Sequence, residues 1–182
     1  MKHRIVLLLV LALLAPFVLV SPISAADNPA IAPAVKWLTT QQQADGSFLG
    51  FSGKADPGTT ADVALALSAA GTDPATVAHG GPSIIDYLRS TAGEYGMTVA
   101  GAAKLTLAAV AAGDDPRDFG GQNLVQAMLT KLDRQTGLFD PQLYVHADTI
   151  LALAAAGQTI PAAAITALDQ HQADNGGWAV TG

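Results

Sequence analysis

The sequence predicts an all-α protein built as a stack of helical hairpins, and three observations predict it. One construction, a helix, a glycine turn and a second helix, recurs along the chain, with turn glycines Gly46, Gly96, Gly137 and Gly176 spaced 50, 41 and 39 residues apart. Internal periodicity of this size marks stacked helical units. The second helices end on similar breakers, Gly71-Thr72-Asp73-Pro74, Gly113-Asp114-Asp115-Pro116 and Gly157 to Pro161. Half of the residues are hydrophobic, and much of that is alanine, which suits helices packed close together.

Taken in order, Ala30–Gln43 places Ala34, Trp37, Leu38 and Gln41 at helical spacing. Asp45-Gly46 ends that helix, because glycine reaches the left-handed conformation of a helix C-terminus. Thr59 or Thr60 is the expected cap of a second helix over 60–70, whose Ala, Val and Leu content predicts burial on most sides. A weaker copy runs from Tyr87 through Gly96 and continues as a helix over Val99–Ala112. The construction returns at Met128–Pro161, with its second helix over His146–Ala156, and a last copy starts near Ala167. The longer first step reflects the extra loop Ala75–Pro82.

Met1–Ala26 stands apart from this pattern. Lys2 and Arg4 precede an apolar run over Ile5–Val20, and Ser24-Ala25-Ala26 supplies small residues where a signal peptidase cuts. The segment is read as a signal peptide, residues 1–26, leaving one repeat domain over 27–182 that is exported. The alternative is an uncleaved membrane anchor, for which the run is short and Pro16 unfavourable. Removing Lys2 and Arg4 takes the basic count from 9 to 7 against 15 acidic residues, a net charge of −8. Such a surface repels phosphate backbones, so nucleic acid is not expected as a partner. Zero cysteine excludes disulfides, thiolate metal sites and a lipoprotein anchor.

Two turns carry a recognisable motif. Gln42-Gln43-Ala44-Asp45-Gly46-Ser47-Phe48 and Gln172-Ala173-Asp174-Asn175-Gly176-Gly177-Trp178 both fit Gln-x-x-x-Gly-x-aromatic. The motif resembles the QW repeat of the prenyltransferase and squalene oxidase family, shared by squalene and hopene cyclases and protein prenyltransferase β-subunits. Gln42 or Gln43 takes the glutamine role, with Gly46 and Phe48; in the last copy these are Gln172, Gly176 and Trp178. Met128–Phe139 keeps Gly137 and Phe139 but has Asp133 for the glutamine, and Tyr87–Gly96 keeps little beyond its glycine. The resemblance implies an α/α-toroid, a ring of outer and inner helices around a cavity. Within it these Gln and aromatic residues are structural, the amide bonding backbone at a helix end. The chain holds only about three and a half hairpins, so an incomplete ring is expected, and the chain is read as a fragment. An unpaired terminal repeat exposes apolar surface.

The chemistry of that family does not carry over. Asp114-Asp115-Pro116-Arg117-Asp118 spells the Asp-Asp-x-x-Asp pattern that holds diphosphate through magnesium in prenyl-transfer enzymes. Pro116 and the sibling loop at Gly71 instead make it an inter-repeat turn. The Asp-x-Asp-Asp acid of the cyclases does not occur, and without cysteine neither the prenyltransferase zinc site nor a thioester can be assembled. No catalytic residue, metal or cofactor is therefore assigned.

Tyr144, His146 and Asp148 form the richest polar cluster. The resemblance implies that the N-termini of inner helices face the cavity mouth, which makes the three candidate ligand-binding residues, with capping of the helix by His146 and Asp148 as the alternative. The same register aligns His146 with Thr60 and Ala102, and sets Asp62, Lys104 and Asp148 at equivalent places, so that Lys104 is expected to bridge both carboxylates. His171 reads as surface. The functional expectation is a binding or scaffold module whose partner is an apolar or corrinoid small molecule, or a polymer. The alternatives are a terpenoid cyclase-like isomerase with its acid elsewhere, or a cobalamin-carrier-like toroid.

Overall fold

The computed structural model describes residues 28–179, and the segment read as a signal peptide lies outside them. Among the described residues seven α-helices follow one another: α1 (Ile31–Thr40), α2 (Pro57–Ala69), α3 (Ile84–Tyr95), α4 (Val99–Ala111), α5 (Leu124–Leu129), α6 (Leu143–Ala155) and α7 (Ala162–Gln170). The protein is all-α: the described residues contain no strand or sheet, only isolated bridges that close turns, such as Gln172 with Trp178. No described helix is long and apolar enough to cross a membrane.

The three longest helices, α2, α4 and α6, lie side by side with α4 in the middle. Behind them α3 packs on α2 and α4, α5 on α4, and α7 on α6. Val35 and Leu38 of α1 pack against the core, yet α1 buries no residue fully. Small residues make the side-by-side row feasible: Ala61, Ala64, Ala102, Ala103, Ala108, Ala109 and Ala152 are wholly buried, and interhelix distance follows side-chain size. Leu67, Leu88, Leu105, Phe119, Leu124, Met128 and Leu153 fill the space between row and backing helices. Each such side chain contributes about 1.5–3 kcal/mol on burial, against about 0.2–1 kcal/mol for an exposed ion pair. The core, not the charges, holds the layers together.

The ends of α2, α4 and α6 are alike. Gly71, Gly113 and Gly157 have φ of 78°, 78° and 64°. The next amide, of Thr72, Asp114 or Gln158, donates back to the carbonyl of Leu67, Ala109 or Leu153 at 2.8, 2.8 and 2.9 Å, the bond of a Schellman ending. The starts differ from expectation. α2 begins at Pro57 and not near Thr60, because Asp56 is its cap, accepting from the Thr59 amide at 2.6 Å. Thr98 caps α4 in the same manner, whereas Gln142 gives α6 no side-chain cap. Neither His146 nor Asp148 caps α6, which already begins at Leu143. α3 starts at a capping box between Ser83 and Asp86, and α7 at Ala162, ahead of the expected Ala167.

The turns after the backing helices confirm three of the four expected glycines. Gly46, Gly137 and Gly176 have φ of 88°, 76° and 83°. The Gly46 and Gly176 turns share their bonds: Gln43 donates to Ser47 at 2.9 Å, and Ala173 to Gly177 at 2.8 Å. Gly96 does not belong with them. It is an ordinary right-handed helix end at φ −68°, and Thr98 follows at once as the cap of α4.

Candidate functional site

α4 is flanked by α2 and α6 and backed by α3 and α5. Its residues Ala100, Lys104, Leu107 and Ala111 all keep partial exposure and fall at helical spacing, so they define one open face. Counting back from Gly71, Gly113 and Gly157 gives the matching residues on the neighbours. Four rows result: Gly58, Ala100 and Tyr144; Asp62, Lys104 and Asp148; Leu65, Leu107 and Leu151; Ala69, Ala111 and Ala155. None of these twelve residues is fully buried. The open face is thus an apolar floor of leucine and alanine beneath one row of charge.

At the charged end, loops and first turns add large apolar groups. Phe51 lies in the loop before α2, Met97 in the turn before α4, and Tyr144 in the first turn of α6, and all three are exposed. A cleft of about 340 Å³ continues past Tyr144 between α6 and α7, lined by Leu143, Ala147, Leu168 and Trp178.

The charged row is half of the expected ladder. Lys104 forms a direct ion pair with Asp62, joining α2 to α4. It does not reach Asp148 as an ion pair, although its charge is felt there. Burial raises the Asp148 carboxyl above the usual carboxylate range, Asp62 adding to the rise and Lys104 opposing it. The Tyr95 phenol, near Gly58 at the head of α2, is pushed up to about 12 by burial and by Asp56 and Asp62. It stays protonated, a donor at the rim.

The structure separates the predicted trio. Tyr144 and Asp148 sit on the open face, Tyr144 donating its hydroxyl to Gln142 at 2.8 Å. His146 points the other way and is completely buried. Its Nδ1 accepts the Phe139 amide at 3.1 Å, and its Nε2 faces the Ala164 carbonyl at 3.0 Å, which fixes the proton on Nε2. Both nitrogens are occupied by backbone, so the ring clamps the turn at Phe139 and the start of α7 onto α6. Burial holds its pKa below the ordinary histidine value. Thr60, its counterpart by register, does the same work: its hydroxyl accepts the Phe48 amide at 2.9 Å.

The motif residues serve the backbone. Gln42, rather than Gln43, donates its amide to the carbonyls of Gly46 and Val77, both at 3.2 Å, tying the first turn to the loop ahead of α3. Gln172 bonds Gly176 at 2.9 Å, and the Trp178 indole donates to Leu168. Phe48 and Phe139 are buried, while Trp178 remains half exposed. The Asp-Asp-x-x-Asp sequence is a turn: Asp114 is held by Arg89 at 2.6 Å, and Asp115 accepts from the Arg117 amide. His171 is half-buried and bonds the Ala167 carbonyl with Nδ1. Among the described residues no group of three or more His, Asp or Glu is arranged to hold a metal.

The leucine and alanine rows escaped sequence reading, although the register that reveals them is written in the three glycine endings. Comparison with protein-family models, with curated proteins and with solved structures finds no match for this chain.

Proposed function

We propose that this chain is an exported repeat protein of the α/α-toroid type, akin to prenyltransferase and squalene-cyclase repeats, that binds an apolar ligand without transforming it. The observation that carries the reading is the run of leucines and alanines on the open face of α2, α4 and α6, partly exposed where a surface row is usually charged. The shared geometry of the glycine endings and of the Gly46 and Gly176 turns supports a repeated hairpin unit. An open arc of such hairpins accounts for the exposed Tyr144, Leu151, Ile165 and Trp178 along α6, α7 and the turn that follows. Export rests on the composition of the first 26 residues.

The test is a thermal-shift series on protein beginning at Asp27, with polyprenols and corrinoids as probes. A ligand that binds the folded state raises the melting temperature by mass action. Leu65→Asn should abolish the shift while leaving the melting temperature of the free protein nearly unchanged. Absence of a shift with either class would leave a scaffold role.

A further inference from the structure

We propose that the ligand of the open face is a cationic amphiphile, a protonated amine on an apolar tail of medium length, with its head at Asp148 and its tail along Leu151 and Ala155. The inference rests on the binding role argued above and narrows it to one chemical class.

Charge is the first argument. The row Asp62, Lys104 and Asp148 holds two carboxylates and one ammonium, and Lys104 is already paired with Asp62. Asp148 has neither an ion pair nor a side-chain hydrogen bond among the described residues, and it is partly buried. Lifting a carboxylate out of water without a partner is costly. One monovalent cation at this point would neutralise the row. The two arginines that pair with carboxylates do so elsewhere: Arg89 with Asp86 and Asp114, Arg117 with Asp115, its guanidinium also reaching the Ala156 carbonyl.

Surroundings and dimensions supply the second. Tyr144 stands one turn before Asp148 and is exposed, an aromatic ring of the kind that attracts ammonium groups. On the other side of Asp148, α4 and α6 present only Leu107, Leu151, Ala111 and Ala155 to the open face, so a polar or doubly charged body finds no partner there. The run from Asp148 to Ala155 spans about 10 Å at 1.5 Å per residue, the length of a medium alkyl chain. An anionic amphiphile would bring its charge against two carboxylates, and a neutral one would leave Asp148 unpaired.

The experiment compares octylammonium, octanol and octanoate by calorimetric titration against protein starting at Asp27, at low salt and near neutral pH. Octylammonium is expected to bind about fivefold more tightly than octanol, the effect of one partly exposed ion pair, and octanoate more weakly than both. Asp148→Asn should erase the advantage of octylammonium and leave octanol unchanged, while Leu151→Asn should weaken all three. Equal binding of octylammonium and octanoate, or an advantage that survives Asp148→Asn, overturns the cationic ligand but leaves the apolar binding role standing. Failure of all three to bind, with polyprenols and corrinoids also silent, overturns both.

Discussion

The backbone amide of Phe139 donates to Nδ1 of His146 across 3.1 Å, inside a fully buried pocket. The same bond, between Phe48 and Thr60, anchors the first turn to α2 at 2.9 Å. Both bonds fasten the aromatic residue of a glycine turn to the second turn of the row helix that follows. Histidine does one thing more than threonine: it reaches on to the Ala164 carbonyl and so secures α7.

His146 is therefore a structural clamp with a pH signature. Its folded pKa lies below the unfolded value of about 6.5. The neutral ring's contribution is complete above that value and is lost as pH falls through the lowered folded pKa. His146→Phe leaves the Phe139 amide without an acceptor and should cost about 1–3 kcal/mol in urea unfolding near neutrality. The gap between wild type and His146→Thr, which cannot titrate, should shrink below about pH 6.5. A gap that widens in acid would contradict the clamp.

Asp148 shows the opposite sign. Its folded carboxyl holds a proton more tightly than the unfolded one, so the charged form lowers stability at neutral pH. Asp148→Asn is expected to raise the urea midpoint near neutrality. The gain should vanish at about pH 3.5, where the ordinary carboxyl is also largely protonated.

Gly137 carries a turn that no other residue fits. Its φ is 76°, and a Cβ there would stand 2.6 Å from the Ala163 carbonyl oxygen, on the first turn of α7. The backbone conformation alone costs a non-glycine residue about 1–3 kcal/mol, and the clash adds to it. Gly137→Ala should lower stability by at least that much, whereas Gly113→Ala, with open space around its Cβ, should cost only the conformational part. Equal losses would mean that the turn does not press on α7.

Thr106 is wholly buried on α4, and its hydroxyl has no hydrogen-bond partner among the described residues. Valine keeps the branched shape without the polar atom. Thr106→Val should stabilise the fold by about 1 kcal/mol, within the range for an unpaired buried hydroxyl, as read from the urea midpoint. Destabilisation would show that the hydroxyl has a partner in solution.

The sequence made the helical grammar readable because its punctuation is strong. Glycine and proline endings set the register of Gly71, Gly113 and Gly157, and that register correctly matched His146 with Thr60 and Lys104 with Asp62. Gly96 misled because one glycine spells both a left-handed turn and a plain helix end, and only the following cap, Thr98, distinguishes them. Asp56 was hidden as a cap by the threonines behind it. The direction of His146 was harder still. α6 is apolar nearly all round, so it has no polar face to show which side meets water. For the same reason the leucine row remained invisible until packing showed which side of α4 was left uncovered.

Leu65, Leu107 and Leu151 are proposed to line a ligand-binding face. Methyl-selective NMR of the leucines, recorded while a short prenyl alcohol is titrated in, tests it most directly. The methyl signals of these three residues should move together and saturate, while those of the buried Leu67, Leu105 and Leu153 stay in place. Saturable shifts confined to other residues, or no shifts at ligand concentrations that raise the melting temperature, would contradict it.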